Sequence, residues 1–249
     1  ACFMTINTIC ICGAGTMGLG IAQVAAQAGY YTILFDVNST VLQEAASRLE
    51  KDLQLLVDKN KITTAVKETI LQHLRFTTDS NDCIADIVIE AIVEKLAIKR
   101  KVFAQLDKLC LSHTILATNS SYIVSSKIAD ATSRPDKVCN MHFFNPALVM
   151  KLVEVVKGPH VSDETVEAVM NVANRMSKTP VLLHKEIYGF LVNRFLQATR
   201  QEALKLFDMG IASHEDIDIA VKNGLGYPMG PFQLLDLTGV DLAYHTAME

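Results

Sequence analysis

The chain lacks a charge imbalance, a long apolar run and any Cys-x-x-Cys pair, and each absence removes a class of function. Its 249 residues carry 23 basic and 27 acidic side chains, a net charge of −4, which gives no electrostatic footprint for nucleic acid or for an anionic membrane surface. No stretch reaches the length of a membrane span. The opening Ala1-Cys2-Phe3-Met4 is not a basic segment followed by an apolar core, so neither a spanning helix nor a secretory leader is expected. Met4 reads as a natural start behind three added residues, and a mitochondrial transit peptide already removed would leave no mark. The six cysteines (Cys2, Cys10, Cys12, Cys83, Cys110, Cys139) are scattered, which argues for small buried hydrophobes rather than a secreted disulfide framework, and no metal is expected. Cys10 and Cys12 alternate within one apolar run and are expected to point to opposite faces, unable to share a metal. Half of the residues are hydrophobic, enough for one large core and a smaller second domain. These bulk properties suit a soluble intracellular enzyme.

What is present is concentrated between Ile6 and Asp36. The run Ile9-Cys10-Ile11-Cys12 leads into Gly13-x-Gly15-x-x-Gly18, a helical pattern follows to Gly29, and a second apolar run, Thr32-Ile33-Leu34-Phe35, ends in Asp36. Strand, glycine turn, helix, strand and acid, in that order, form a dinucleotide-binding fingerprint. Gly13 permits the tight turn, Gly15 lets backbone approach a pyrophosphate, and Gly18 lets helix and strand pack closely. The pyrophosphate then rests on the amides that open the helix at Thr16 and Met17. Asp36 is placed to accept hydrogen bonds from the adenosine ribose and to repel a 2′-phosphate, so NAD is expected over NADP.

From about Val41 to Leu74 the pattern is helical and charged, with a break near Asn60 and Lys61, and reads as an antiparallel helical pair inserted between strands. Lys51, Lys59 and Lys61 belong to a solvated hairpin on the plainer reading and face a phosphorylated substrate tail on the other. Strand character returns at Arg75-Phe76-Thr77, at Ala85 to Ala91 and at Ile115 to Thr118, with a helix near Lys95 to Leu109 between the last two. Strands alternating with helices imply an α/β fold with a doubly wound, mostly parallel sheet.

Three polar groups stand where strands run out. Asn119-Ser120-Ser121 follows Thr118, His142 closes Val138-Cys139-Asn140-Met141, and Glu154 sits inside the apolar run Lys151 to Val156. Ligands of open α/β sheets bind beyond the carboxyl ends of strands. A carboxylate within an apolar strand is costly without a partner, and the candidate partner is His142, whose tautomer such a carboxylate fixes, as a general base requires. Taken singly, His142 also reads as a core histidine, Glu154 as an outward strand residue and Ser121 as a helix N-cap.

The segments Met141-His142-Phe143-Phe144-Asn145-Pro146, Val149 to Val156, Gly189-Phe190-Leu191-Val192-Asn193-Arg194 and Gly226-Tyr227-Pro228-Met229-Gly230-Pro231-Phe232 resemble, in order, the signatures of the L-3-hydroxyacyl-CoA dehydrogenase family, including the 3-hydroxybutyryl-CoA dehydrogenases. The resemblance implies a Rossmann-type fold and reversible NAD-dependent oxidation of an L-3-hydroxyacyl-CoA, short-chain such as 3-hydroxybutyryl-CoA, to the 3-ketoacyl-CoA. It implies that His142 is the general base, that Glu154 orients and polarises it, that Ser121 hydrogen-bonds the oxygen at C3, and that Asn193 contacts the reacting substrate. Here the serine run is Asn119-Ser120-Ser121 where the family has Asn-Thr-Ser, which leaves two serines for one role. Glu94 and Lys99 fall on cofactor-contacting positions, Asn119 joins them, and Asn145 lies beside the nicotinamide pocket. Tyr188 departs from a usual proline. The further implications are a role in fatty acid metabolism, a cytoplasmic or mitochondrial-matrix location, and a homodimer. Two other readings stay open: a dehydrogenase of the same fold acting on a small hydroxy or sugar acid without coenzyme A, and a non-catalytic NAD-binding protein.

The remainder reads as helical. A helix from about Phe190 to Phe207 stops at Gly210, Ser213 with Asp216 makes a capping box for the next, Pro231 opens another, and a last one begins near Asp241. An asparagine at 193 is unfavourable inside a helix, which strengthens a functional reading. The expected domains are a dinucleotide-binding domain over 1–186 and a small all-α domain over 187–249, shortened at its C-terminus. Its large apolar side chains (Phe190, Leu191, Phe195, Leu196, Leu204, Phe207, Phe232, Leu234, Leu235) suggest the dimer interface.

Overall fold

A computed structural model describes residues 5–238; the helix expected from Asp241 and the burial expected of Cys2 lie outside the described residues. The chain divides into two compact units, Ala1–Phe190 and Leu191–Glu249.

In the first unit the elements run β1 (Thr8–Cys12), α1 (Thr16–Gln27), β2 (Tyr31–Phe35), α2 (Ser39–Asp58), α3 (Thr64–Gln72), β3 (Leu74–Thr77), β4 (Ile87–Glu90), α4 (Leu96–Leu109), β5 (Ile115–Thr118), α5 (Ser126–Ala129), β6 (Val138–Phe143), β7 (Leu152–Val156), α6 (Asp163–Arg175) and β8 (Thr179–Leu183). Among the described residues the eight strands form one sheet in the order β3-β2-β1-β4-β5-β6-β7-β8. Every neighbouring pair is parallel except β6 and β7. The expected doubly wound, mostly parallel sheet is therefore what forms. Its strand order reverses between β1 and β4, the switch point at which such sheets open a crevice. The central strands are apolar on both faces, as helices on both sides of a parallel sheet demand.

The helical pair between β2 and β3 is present. Asn38 caps α2 by accepting from the amides of Thr40 and Val41, and Leu42, Ala45, Leu49 and Leu53 form its buried stripe. The break falls at Asn60, which takes a positive φ of 54°. Beyond it Lys67 Nζ reaches back to Gln54 Oε1 at 2.9 Å, as antiparallel neighbours do. The second helix stops at Gln72, and Leu74, assigned to it from its apolar spacing, instead begins β3.

Three elements were not read from the sequence: the short helix α5, α6 and β8. The signals for α6 were legible: Ser162 accepts from Thr165 N, and Asp163 and Glu164 occupy the first turn. Strand β8 contains Pro180 and pairs with β7 alone, the edge position at which a proline is tolerated.

One expectation is wrong. Cys10 and Cys12 do not point to opposite faces: residues two apart in a strand share a face, and both thiols pack with Cys83 in one buried cluster while Ile9 and Ile11 face the other. Cys10, Cys12, Cys83, Cys110 and Cys139 are all buried free thiols, as small hydrophobes should be.

The second unit holds α7 (Val192–Asp208), α8 (His214–Leu225) and α9 (Pro231–Thr238) among its described residues. Ser213 caps α8 by accepting from Asp216 N, and the left-handed Gly226 ends it. Asp218, buried in α8, accepts from the amides of Phe232 and Gln233 at 2.8 and 3.0 Å and so anchors the first turn of α9. Phe190, expected on this unit's apolar surface, is instead fully buried in the first unit against Val156 and Leu183, and Leu235 is buried as well.

Candidate active site

The glycine turn after β1 is shaped by close approach. Gly13 has a φ of +105°, and a Cβ there would lie 2.6 Å from the Ala91 carbonyl oxygen. A Cβ on Gly18 would lie 1.7 Å from the Gly13 carbonyl oxygen, so α1 can seat on the turn only with glycine at 18. Gly15 differs, since a Cβ there would meet nothing within 4 Å. The space beside it is open, leaving the backbone there accessible to a ligand. Gly15 is also the N-cap of α1 and supplies no side-chain cap, leaving the amides and positive dipole end at Thr16 and Met17 for an anion.

Asp36, at the end of β2, holds this turn. Its Oδ2 accepts from Ala14 N at 2.8 Å and its Oδ1 from Asn38 N at 2.9 Å, and the half-exposed carboxylate keeps lone pairs for further donors. These residues fit a dinucleotide with a free ribose 2′-hydroxyl.

A second group gathers where β4 and β5 end in register, Glu90 opposite Thr118. Glu90 is fully buried and accepts from Lys99 Nζ at 2.6 Å, Thr118 Oγ1 at 2.7 Å and Ile92 N at 2.8 Å. Lys99 also pairs with Glu94 at 3.1 Å. Burial pushes the Glu94 carboxyl up, but the Lys99 ammonium and the Ser120 hydroxyl outweigh it and hold it below the ordinary range. Lys99, expected to touch cofactor, is 1 % exposed with both carboxylates around its ammonium, an arrangement that also positions Glu94. The sequence reading does not single out Glu90, although an acid closing an apolar strand is the same signal that marks Asp36.

The two serines take different partners. Ser120 Oγ donates to Glu94 and accepts from Ile123 N at 2.7 Å, whereas Ser121 Oγ lies 3.1 Å from His142 Nε2 and caps no helix. Asn119 Oδ1 accepts from Phe143 N at 2.8 Å, tying the end of β5 to β6. Asn145 is exposed in the loop after β6, bordering a small cleft with Thr16 and Gln23.

His142 and Glu154 are register partners on the antiparallel pair β6 and β7. Nδ1 of the imidazole lies 2.9 Å from Glu154 Oε2. An ionised carboxylate only accepts, so Nδ1 carries the proton and Nε2 presents a lone pair toward Ser121. Both side chains are buried, at 4 % and 1 % exposure, and the rings of Phe144 and Phe190 stand 4.5 and 5.4 Å from the imidazole. Phe190 was not anticipated here, because its position in the sequence suggested the helical unit.

Asn193 lies half-buried in the first turn of α7. The expectation that it would be costly inside a helix fails, since the helix starts at Val192. Lys51, Lys59 and Lys61 are all exposed. No described helix is long and apolar enough to cross a membrane.

A cradle that takes a dinucleotide and a buried imidazole whose free nitrogen faces a hydroxyl together equip this unit as a dinucleotide-linked dehydrogenase. Comparison with known proteins narrows the class. Residues 8–187 match the model of the 3-hydroxyacyl-CoA dehydrogenase NAD binding domain and residues 189–249 that of the family's C-terminal domain, and the chain belongs to this family. Its cofactor is NAD, and it is an NAD-dependent oxidoreductase. It is 42 % identical over 244 residues to the mitochondrial hydroxyacyl-coenzyme A dehydrogenase of Homo sapiens, covering 95 % of this chain and 77 % of that protein. It is 43 % identical over 235 residues to the 3-hydroxybutyryl-CoA dehydrogenase of Clostridioides difficile, covering 94 % and 83 %. The crystal structure of 3-hydroxybutyryl-CoA dehydrogenase from Escherichia coli K12 superposes with a TM-score of 0.93 at 39 % identity, over 96 % of this chain and 51 % of that one; the chain spans about half the length of that protein.

Proposed function

We propose that the chain catalyses the reversible oxidation of short-chain L-3-hydroxyacyl-CoA thioesters, such as 3-hydroxybutyryl-CoA, to the 3-ketoacyl-CoA. The observation that carries this reading is the His142 pair: Nδ1 is fixed by Glu154 at 2.9 Å and Nε2 lies 3.1 Å from Ser121. In the oxidative direction His142 Nε2 takes the proton of the substrate's 3-hydroxyl, and the carboxylate of Glu154 stabilises the imidazolium that results. Ser121 hydrogen-bonds the same oxygen and orients it. Bound NAD supplies the acceptor for the two electrons released at C3. Phe144 and Phe190 keep water from the imidazole, and the family resemblance alone assigns Asn193 a substrate contact. In reduction His142 returns the proton.

The thioester assignment is supported by relatives named as 3-hydroxybutyryl-CoA dehydrogenases. Because relatives include both mitochondrial and bacterial proteins, and because the described cysteines are free thiols, a reducing compartment, the cytoplasm or the mitochondrial matrix, is the proposed setting, with fatty acid metabolism as the context. A homodimer built from the second unit completes the reading.

A steady-state assay with acetoacetyl-CoA, longer 3-ketoacyl-CoA substrates and the free 3-keto acids, each against NADH and NADPH, tests it. Turnover of acetoacetyl-CoA with NADH well above that of the free acids is the expected outcome. Equal activity on the free acids would assign the site to a small hydroxy acid instead.

A further inference from the structure

Behind the glycine turn, on the face of β1 turned away from α1's core, three thiols converge. Cys10, Cys12 and Cys83 lie with their sulfurs all within 4.8 Å of one another, each at most 1 % exposed. Three sulfurs bound to one pyramidal centre at about 2.3 Å stand roughly 3.5 Å apart, so sulfurs that lie within 4.8 Å of one another close on a common atom by drawing together. Cys10 and Cys12 come from a rigid central strand. Cys83 comes from the short connection before β4, where its neighbours Asn81 and Ile84 are exposed, which gives an entry path through a loop rather than through the sheet.

The surroundings restrict what fits. The thiols sit among Ile33, Val88, Phe103 and Leu116 in a dry core, where an uncompensated charge is costly. Among the described residues the group offers three donors, while zinc in a closed site takes four. Zinc or copper(I) on three thiolates would also leave net negative charge in that core. A trivalent thiophilic centre on three thiolates is neutral and needs no fourth ligand.

We propose that Cys10, Cys12 and Cys83 form a binding site for trivalent arsenic, independent of the dehydrogenase reaction. Arsenous acid exchanges its three hydroxyls for three thiolates: three As–S bonds form, three As–O bonds break, and the thiol protons leave with the hydroxyls as three waters. No oxidation state changes.

The test uses the full chain, freshly reduced and kept from oxygen, with equimolar arsenite. X-ray absorption at the arsenic edge should show three sulfur neighbours and no oxygen, and intact mass should show one arsenic in place of three hydrogens. The thermal midpoint should rise, because the preformed site exists only in the folded protein. Cys83→Ala should lose the three-sulfur shell and the midpoint shift, whereas Cys139→Ala, which removes a thiol of the other core cluster, should keep both. The proposal is overturned by arsenic that retains an oxygen, by a midpoint that falls because the unfolded chain is the one captured, by a three-sulfur shell that survives in Cys83→Ala, or by preferential uptake of zinc when both are offered. The spectrum of the unaltered chain decides the matter even where Cys83→Ala does not fold.

Discussion

His142 and Glu154 stand directly opposite each other across the β6 and β7 pairing, the one antiparallel junction among the described strands. Opposed residues of an antiparallel pair project their side chains to the same face within contact distance. A parallel β7 would need a long crossover to return. The reversal thus lets an eight-residue loop, Phe144 to Lys151, join the two strands, and the register alone sets an imidazole and a carboxylate opposite each other, 2.9 Å apart.

Replacing His142 by Gln removes the proton acceptor and keeps most of its volume. Turnover should fall by roughly 10²–10⁴, with NADH affinity nearly unchanged, since general-base catalysis contributes about that much. Glu154→Gln should cost less in turnover but lower stability, because it alters a pair in which both members are buried. Stopped-flow turnover together with NADH titration checks both; near-normal turnover in His142→Gln would remove the assigned base.

Ser121 and Ser120 should separate in their effects. Ser121→Ala deletes one hydrogen bond to the reacting oxygen, worth ~1 kcal/mol, and should lower kcat about fivefold. Ser120→Ala instead frees Glu94 and the amide of Ile123, so it should raise the KM for NADH more than it lowers kcat. Should Ser120→Ala produce the larger loss of kcat, the two roles are exchanged.

The fold was legible where chemistry is local, and much of the site was not. A glycine turn and a strand-end acid announce themselves because Gly13, Gly18 and Asp36 act within one supersecondary unit. Glu154 was readable as a carboxylate in an apolar strand, although the antiparallel pairing that supplies its partner was not. Nothing in the sequence neighbourhood of Lys99 reveals that α4 brings its ammonium to both Glu90 and Glu94. Cys10 and Cys12 share a face because strand side chains alternate with a period of two. Phe190 was misplaced because a residue next to a helix was taken as part of it, whereas its ring turns back toward His142.

Asp36 should decide cofactor choice. Its carboxylate faces the ribose 2′ position expected at the end of β2, so Asp36→Ala should reduce kcat/KM with NADH by roughly 10–100-fold, the loss of hydrogen bonds to a charged group of about 1.5–3 kcal/mol. Efficiency with NADPH should change little or rise. Because Asp36 also holds the amides of Ala14 and Asn38, the variant should be somewhat less stable. Equal efficiency of the unaltered protein with NADPH would contradict the assignment.

Glu94 links stability to acidity. Its folded-state carboxyl is held below the ordinary value of 4.5, burial opposing and Lys99 with Ser120 prevailing. A depressed carboxyl contributes stability that is complete above its unfolded value and is lost as pH falls through the lower folded one. Denaturant melts taken downward from neutral pH should therefore lose a Glu94-dependent part only once the pH passes below 4.5. In Lys99→Met that part should shrink to what Ser120 supplies, and the whole curve should drop by about 3–5 kcal/mol because the buried Glu90 loses its counter-charge. A Lys99→Met protein as stable as the parent would show that the network carries no weight.

The second unit supplies the last expectation. On α7 alone, Phe195 is 72 % exposed, Phe207 44 % and Leu204 40 %, and Leu196 lies beside Phe195 in an apolar groove that also includes Tyr227 and Leu234. A domain below about 70 to 80 residues seldom buries such side chains alone, and contiguous exposed patches of a few hundred Å² mark interfaces. Closed two-fold pairing is the commonest way for one patch to cover itself. The chain should therefore sediment as a dimer at micromolar concentration. Phe195→Glu, placing a carboxylate where the patch is most exposed, should shift it to monomer while the NAD-binding unit keeps its NADH affinity. Light scattering that finds a stable monomer in the unaltered, active protein would refute the assignment of this surface.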